Sequence, residues 1–206
     1  MLNQAEVEKK VIELLNLEKR KFTQTIELII NINLDVKKPE NRINELFPLP
    51  YKTKKNKICI FSDSIKEVNK ENVKVINSEE IQKMSKRDAK KLAKNIDVFL
   101  ADAKLMTLVG KHLGMTLGPR GKMPKIISGD INKLIEEAEK YVRLRIKDNP
   151  QIQCYVGIEN DEPKIITENI ISVVNYIASK FDVNRIKEIL IKKTMSKPIT
   201  IFKHGK

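Results

Sequence analysis

The chain has 206 residues, 41% of them hydrophobic, with a formal charge of +13 and a sequence pI near 9.6. That length suits one large domain or two small ones, with a core built mainly from Ile, Leu and Val because aromatic residues make up only 5% and Trp is absent. The charge points to an anionic partner, nucleic acid first, since neutralising phosphates releases counterions; no run of about 20 apolar residues spans a membrane, and the two distant cysteines, Cys59 and Cys154, fit buried thiols of a reducing compartment rather than a disulfide framework.

The opening MLNQAEVEKK is polar and acidic and lacks the basic-then-apolar plan of a signal peptide, so a cytoplasmic protein is expected. Val7, Val11, Leu14 and Leu15 recur at helical spacing and predict an amphipathic helix within 4–20. In KFTQTIELIININLD, Ile26, Leu28, Ile30 and Ile32 alternate and share one face of a strand, leaving Thr25, Glu27, Ile29 and Asn31 on the other. Residues 37–57 are polar and basic and carry Pro39, Pro48 and Pro50, which predicts an extended loop leading out of a domain.

A second pattern follows: a strand at 57–62, a short helix at 64–70, a strand at 73–76, a helical stretch at 78–95, a strand at 97–102 and a helix at 104–113. Such alternation argues for a small α/β unit with a parallel sheet. The Gly- and Pro-rich GMTLGPRGKMPK (114–125) reads as a loop throughout. A helix at 130–140, the strand YVRLRI and a turn at 147–150 bring the chain back. The remainder reads as a strand at 152–159, a helix at 167–180 with Ile170, Val173, Val174 and Ile177 on one face, then strand, irregular turn and strand. The expected architecture is α+β and α/β in two domains. Residues 1–56 plus 148–206 form a discontinuous α+β domain from both termini. Residues 57–147 form an inserted Rossmann-like three-layer α/β domain. The insertion holds 20 Lys/Arg against 12 Asp/Glu, so most of the positive excess lies there.

Little in the chain suggests catalysis. His112 and His204 are the only histidines, and neither they nor the cysteines have metal-ligand spacing, so no metal and no cofactor is expected. Neither histidine has a neighbourhood that suggests a triad, and Glu136/Glu137 read as a solvated helix face. The GPRGK loop invites comparison with a phosphate-binding loop, but Thr116 stands where the first Gly is needed and Met123 replaces the hydroxyl residue. Two readings of this loop stay open: a structural turn that needs Gly for unusual backbone angles, or a basic patch of Lys111, Arg120, Lys122 and Lys125 for an RNA phosphate or a tRNA. A phosphate-loop enzyme using Gly118 to Lys122 and a non-specific nucleic-acid coat protein are the rival functional classes.

GMTLGPRGKMP resembles the signature of the ribosomal protein L-one family, the universal protein of the mobile stalk on the large ribosomal subunit. KFTQTIEL, LDVKKPENRINELFPLP, VRLRIKDNPQIQCYVGIE and ILIKKTMS resemble further family segments in the same order, in the archaeal form. The resemblance implies a non-enzymatic structural constituent of the large subunit that binds large-subunit rRNA beside the tRNA exit site, aids release of deacylated tRNA and represses translation of its own mRNA. Implied partners are the stalk rRNA, exit-site tRNA and that mRNA, with a monomer when free. The family's RNA contacts fall here on Lys21, Phe22, Thr25 and Glu27 and on Thr194, Met195 and Ser196. Ser196 replaces the family's Gly, and IISGDINK replaces a Pro-rich segment after Pro124, which shortens the expected tip of the second domain. In this scheme Glu27, a carboxylate that would repel phosphate, accepts hydrogen bonds from ribose 2′-hydroxyls or base amino groups.

Overall fold

In the computed structural model, Asn3 starts the first helix by accepting a hydrogen bond from the Ala5 N–H; the model describes every residue except 1, 19, 66, 67, 69, 205 and 206. Helix α1 (Gln4–Leu15) buries Val7, Val11 and Leu14. It ends at Leu15, with Asn16 as its C-cap, short of residue 20. Strand β1 (Thr25–Ile32) buries every second residue, as its alternation predicts. The stretch read as an open loop contains strand β2 (Asn44–Pro48), flanked by the buried Ile43 and Leu49. A proline is tolerated at the end of such a short strand, where no ladder donor is required.

Strands β3 (Ile58–Phe61) and β4 (Val73–Ile76) follow. Of the helix expected at 64–70, residues 66, 67 and 69 lie outside the described residues, and Ser64, Ile65, Val68 and Lys70 are not helical. The helical stretch at 78–95 is two helices, α2 (Ser78–Lys83) and α3 (Lys86–Asn95). Met84 is extended between them, and Ser85 accepts from the Asp88 N–H, which caps a new start. Strand β5 (Val98–Ala101) leads to α4 (Met106–Leu117), so Gly114–Leu117 of the expected loop are helical. The loop itself is short, and β6 (Lys125–Ile126) closes it. Then come α5 (Ile131–Lys140), β7 (Tyr141–Arg145), β8 (Gln151–Ile158), α6 (Pro163–Phe181), β9 (Ile186–Lys193) and β10 (Ile199–Lys203).

The chain forms two compact units, residues 1–54 with 142–206, and residues 55–141. The return boundary lies before Val142 rather than in the turn at 147–150. The reason is that β7 pairs with β2, and Val142, Leu144 and Ile146 join the core of the first unit. In that unit β1 sits between β8 and β9 in an antiparallel sheet ordered β10-β9-β1-β8. Helices α1 and α6 cover one face, where Ile26, Leu28 and Ile30 meet Ile152, Val156, Ile189 and Ile191. The inserted unit holds a parallel sheet ordered β4-β3-β5-β6. Cys59, Phe61, Phe99 and Ala101 meet Ile81, Ala89, Val109 and Leu113 of α2 to α4 on one face. Ile58 and Ile60 alternate to the other, and α5 packs on β3. Helix layers on both sides of a parallel sheet make this the expected α/β architecture.

Candidate nucleic-acid interface

Antiparallel pairing of β1 with β9 sets Ile26 opposite Lys193 and Glu27 opposite Lys192. The start of β1 therefore lies beside the turn that follows β9, and the two segments singled out in the sequence meet. Thr25 and Thr194 share a hydroxyl–hydroxyl hydrogen bond of 2.8 Å. The Thr25 N–H donates to the Thr194 hydroxyl at 3.2 Å, and the Thr194 N–H donates to the Thr25 carbonyl at 3.1 Å. Around this pair the side chains of Phe22 and Met195 are 51% and 63% exposed. Large apolar groups left this open add nothing to the core and offer contact area to a partner. Lys21 is exposed beside them.

Glu27 lies on the sheet face opposite the core. One oxygen accepts from the Gln153 side-chain amide at 2.6 Å, which orients the carboxylate and leaves its other oxygen to accept elsewhere. Tyr155, directly across from Glu27, carries a phenol pushed up to about 12 by burial and by the Asp161 carboxylate. That face also carries Lys192, opposite Glu27 on β9.

Ser196 takes over what a glycine would otherwise allow. Its hydroxyl accepts from the Lys193 N–H at 2.9 Å and donates to the Lys197 carbonyl at 3.0 Å, and its own N–H donates to the Lys193 carbonyl at 3.1 Å. The turn closes through the side chain, and its φ is not positive.

The residues that the sequence reading missed lie just beneath. Gln24 and Lys193 are buried, at 1% and 0% exposure. The Gln24 N–H donates to Glu159 at 3.0 Å, and the Met195 N–H donates to the Gln24 side-chain carbonyl at 3.2 Å. Lys193 donates to the carbonyls of Leu15, the last residue of α1, and Leu17, just beyond it. The available signal was phase: Gln24 extends the inward series Ile26, Leu28, Ile30, and Lys193 extends Ile189, Ile191.

The second cluster does not assemble as one patch of open cations. The Lys122 ammonium turns inward to the Ala93 and Ile96 carbonyls at the end of α3. Lys125 donates to the Tyr141 hydroxyl at 2.9 Å and sits 4.9 Å from the centre of that ring. Lys111 and Arg120 remain exposed, with Arg120 donating to the Thr116 carbonyl at 3.3 Å. Gly121 has φ of +66°, and a Cβ on Gly118 would lie 2.8 Å from the Gly114 carbonyl oxygen. The glycines thus serve the turn itself. With its lysine committed to helix carbonyls, the loop lacks the free ammonium that a phosphate-loop enzyme needs. Among the described residues, no three His, Cys, Asp or Glu side chains gather as a metal site, and no helix is long and apolar enough to cross a membrane.

A family model described as "Ribosomal protein L1p/L10e family" matches residues 14–197. The "Large ribosomal subunit protein uL1" of Pyrobaculum arsenaticum is 41% identical, covering 98% of this chain and 95% of its own length. The protein of the same description from Thermofilum pendens is 40% identical over 89% and 86%, and that from Methanobrevibacter smithii 38% over 85% and 88%.

Proposed function

We propose, from the premise that this chain belongs to the ribosomal protein L1p/L10e family, that its Thr25–Thr194 surface binds large-subunit rRNA at the mobile stalk, beside the tRNA exit site. The chain is a structural, non-enzymatic protein of the large ribosomal subunit, of archaeal type, and works in the cytoplasm on the ribosome. The RNA-binding domain is the discontinuous one built from both termini. Lys111 and Arg120 of the inserted domain provide the secondary surface toward exit-site tRNA, whose release after deacylation the stalk assists. The same first-domain surface binds a stalk-like fold in the protein's own mRNA and represses its translation. The free protein is a monomer.

One observation carries this reading: two segments at opposite ends of the chain are tied by the 2.8 Å Thr25–Thr194 bond into a single exposed surface. That surface combines hydroxyls, an oriented carboxylate and apolar side chains with Lys21 and Lys192. A surface of this composition favours ribose and base edges over bare phosphate. Glu27 repels phosphate but accepts from a 2′-hydroxyl, which selects RNA over DNA. Exposed lysines such as Lys21 add a salt-dependent attraction.

The decisive experiment is a competition between the stalk RNA, the mRNA leader and an unrelated duplex across a salt series. The stalk RNA and the leader should displace each other, and the unrelated duplex should compete only at low salt. Equal affinity for DNA and RNA of any sequence would instead indicate a non-specific coat protein.

A further inference from the structure

Alternation along β9 puts Lys193 in phase with Ile189 and Ile191, on the side that faces the core. An ammonium in such a slot is costly unless it is paired and hydrogen-bonded. Lys193 donates to the Leu15 carbonyl at 3.0 Å and the Leu17 carbonyl at 2.9 Å, and it lies 3.9 Å from the Glu159 carboxylate. The Glu159 side chain, only 8% exposed, accepts from both the backbone N–H and the side-chain amide of Gln24, at 3.0 and 3.3 Å.

The polarity of this chain of contacts is fixed at both ends. A carboxylate only accepts, so the Gln24 amide must turn its NH₂ to Glu159. Its carbonyl then faces the other way, where the Met195 N–H, which can only donate, meets it at 3.2 Å. One orientation of Gln24 satisfies both partners, and in it the Gln24 NH₂ also reaches the Glu18 carbonyl at 3.5 Å.

We propose that Gln24, Glu159 and Lys193 are positioning residues for RNA binding. They hold the Thr194–Met195 backbone in its binding geometry before RNA arrives, without touching RNA themselves. Binding then avoids the cost of ordering that turn. The proposal rests on the reading that Thr194 and Met195 contact the stalk RNA. It adds that the affinity of this exposed turn is set by a buried charge behind it.

The test uses the full chain and a stalk RNA fragment. Glu159→Gln keeps the shape but loses the charge that faces Lys193 and can turn an NH₂ toward Gln24 where an acceptor is needed, so Gln24 is held less firmly. Affinity should fall roughly 5- to 10-fold through lost preorganisation. The slope of log K against log salt should stay as in the parent, because no phosphate contact is lost. Hydrogen exchange at the Met195 N–H should quicken. In a Met195→Ala background the same substitution should cost little further, since both act through one turn. Gln24→Met, which fills the same volume without the amide, should lose affinity similarly and carries the test if Glu159→Gln fails to fold. Parent-like binding by both variants, while Thr194→Ala and Met195→Ala lose binding, overturns the positioning role and leaves the RNA site standing. Parent-like binding by Thr194→Ala and Met195→Ala overturns the site itself, and the positioning role with it.

Discussion

The hydroxyls of Thr25 and Thr194 lie 2.8 Å apart although 169 residues separate them in the chain. Three further bonds, two between backbone and side chain and one between backbones, close the same pair. Because Thr194 is exposed, Thr194→Ala should leave the melting temperature almost unchanged. RNA affinity should fall by about 5- to 30-fold, the cost of roughly 1–2 kcal/mol for a lost hydrogen-bonding group. Fluorescence anisotropy with a stalk RNA fragment, alongside a thermal melt, checks both halves. Parent-like affinity in this variant removes Thr194 from the site.

Phe22 and Met195 give a different signature. Their exposure, 51% and 63%, means that truncation removes almost no core packing. Phe22→Ala should lower RNA affinity by about 1–3 kcal/mol if a base stacks on the ring. Phe22→Tyr, which keeps the ring, should restore most of it. Neither change alters charge, so the salt slope should be that of the parent.

The alternation from Ile26 to Ile32 was legible because one face of β1 is fully buried and a period of two has no other reading. The discontinuous domain was legible for a related reason: strand–helix alternation begins after Asn56 and ends with α5. Strand β2 was not, because it ends on Pro48 with Pro50 just beyond, and only Ile43 and Leu49 anchor it. The exposed candidate residues were singled out from family segments, and nothing in their local pattern distinguishes Thr25 from any solvated strand residue. Lys193 and Gln24 escaped because residue type suggested solvent while strand phase demanded burial, and phase won. Lys122 escaped similarly: a long side chain beside a glycine turn can reach back to a helix end, which spacing in sequence does not display.

Lys122 should act through stability, and its exposed neighbours Lys111 and Arg120 through affinity. Lys122→Ala removes the ammonium from the last carbonyls of α3 and should destabilise the inserted unit by about 1–2 kcal/mol. Lys111→Ala and Arg120→Ala should leave stability as it is. If these exposed cations face tRNA phosphates, each substitution should weaken tRNA binding across sequences and reduce the salt slope by about 1. Urea melts and filter binding at several salt concentrations distinguish the two classes.

Gly121 occupies the left-handed region, with φ of +66°. Gly121→Ala should cost about 1–2 kcal/mol because a Cβ there crowds the following carbonyl oxygen. Gly110, where a Cβ would meet nothing within 4 Å and which lies inside α4, is the control. Gly110→Ala should be neutral or stabilising by up to about 1 kcal/mol, from helix propensity. The denaturant midpoint should fall in Gly121→Ala and stay or rise in Gly110→Ala.

The two thiols predict how stability falls in alkali. Burial pushes Cys59 and Cys154 from 9.0 up to about 12, with Glu80 adding to the rise at Cys59 and Lys74 opposing it. Below about pH 9 both thiols are protonated in the folded and unfolded chains, so they contribute no pH dependence. Above it the unfolded chain ionises while the fold still holds the protons. Stability should therefore drop between pH 9 and about 12, by up to about 1.4 kcal/mol per pH unit for each thiol. Lysines and tyrosines titrate in the same range, so the comparison is with Cys59→Ala/Cys154→Ala. That variant begins less stable, from two small cavities, but its stability should decline less steeply in urea melts from pH 8 to 11. Parallel declines in parent and variant would show that the thiols are not the source of the alkaline loss.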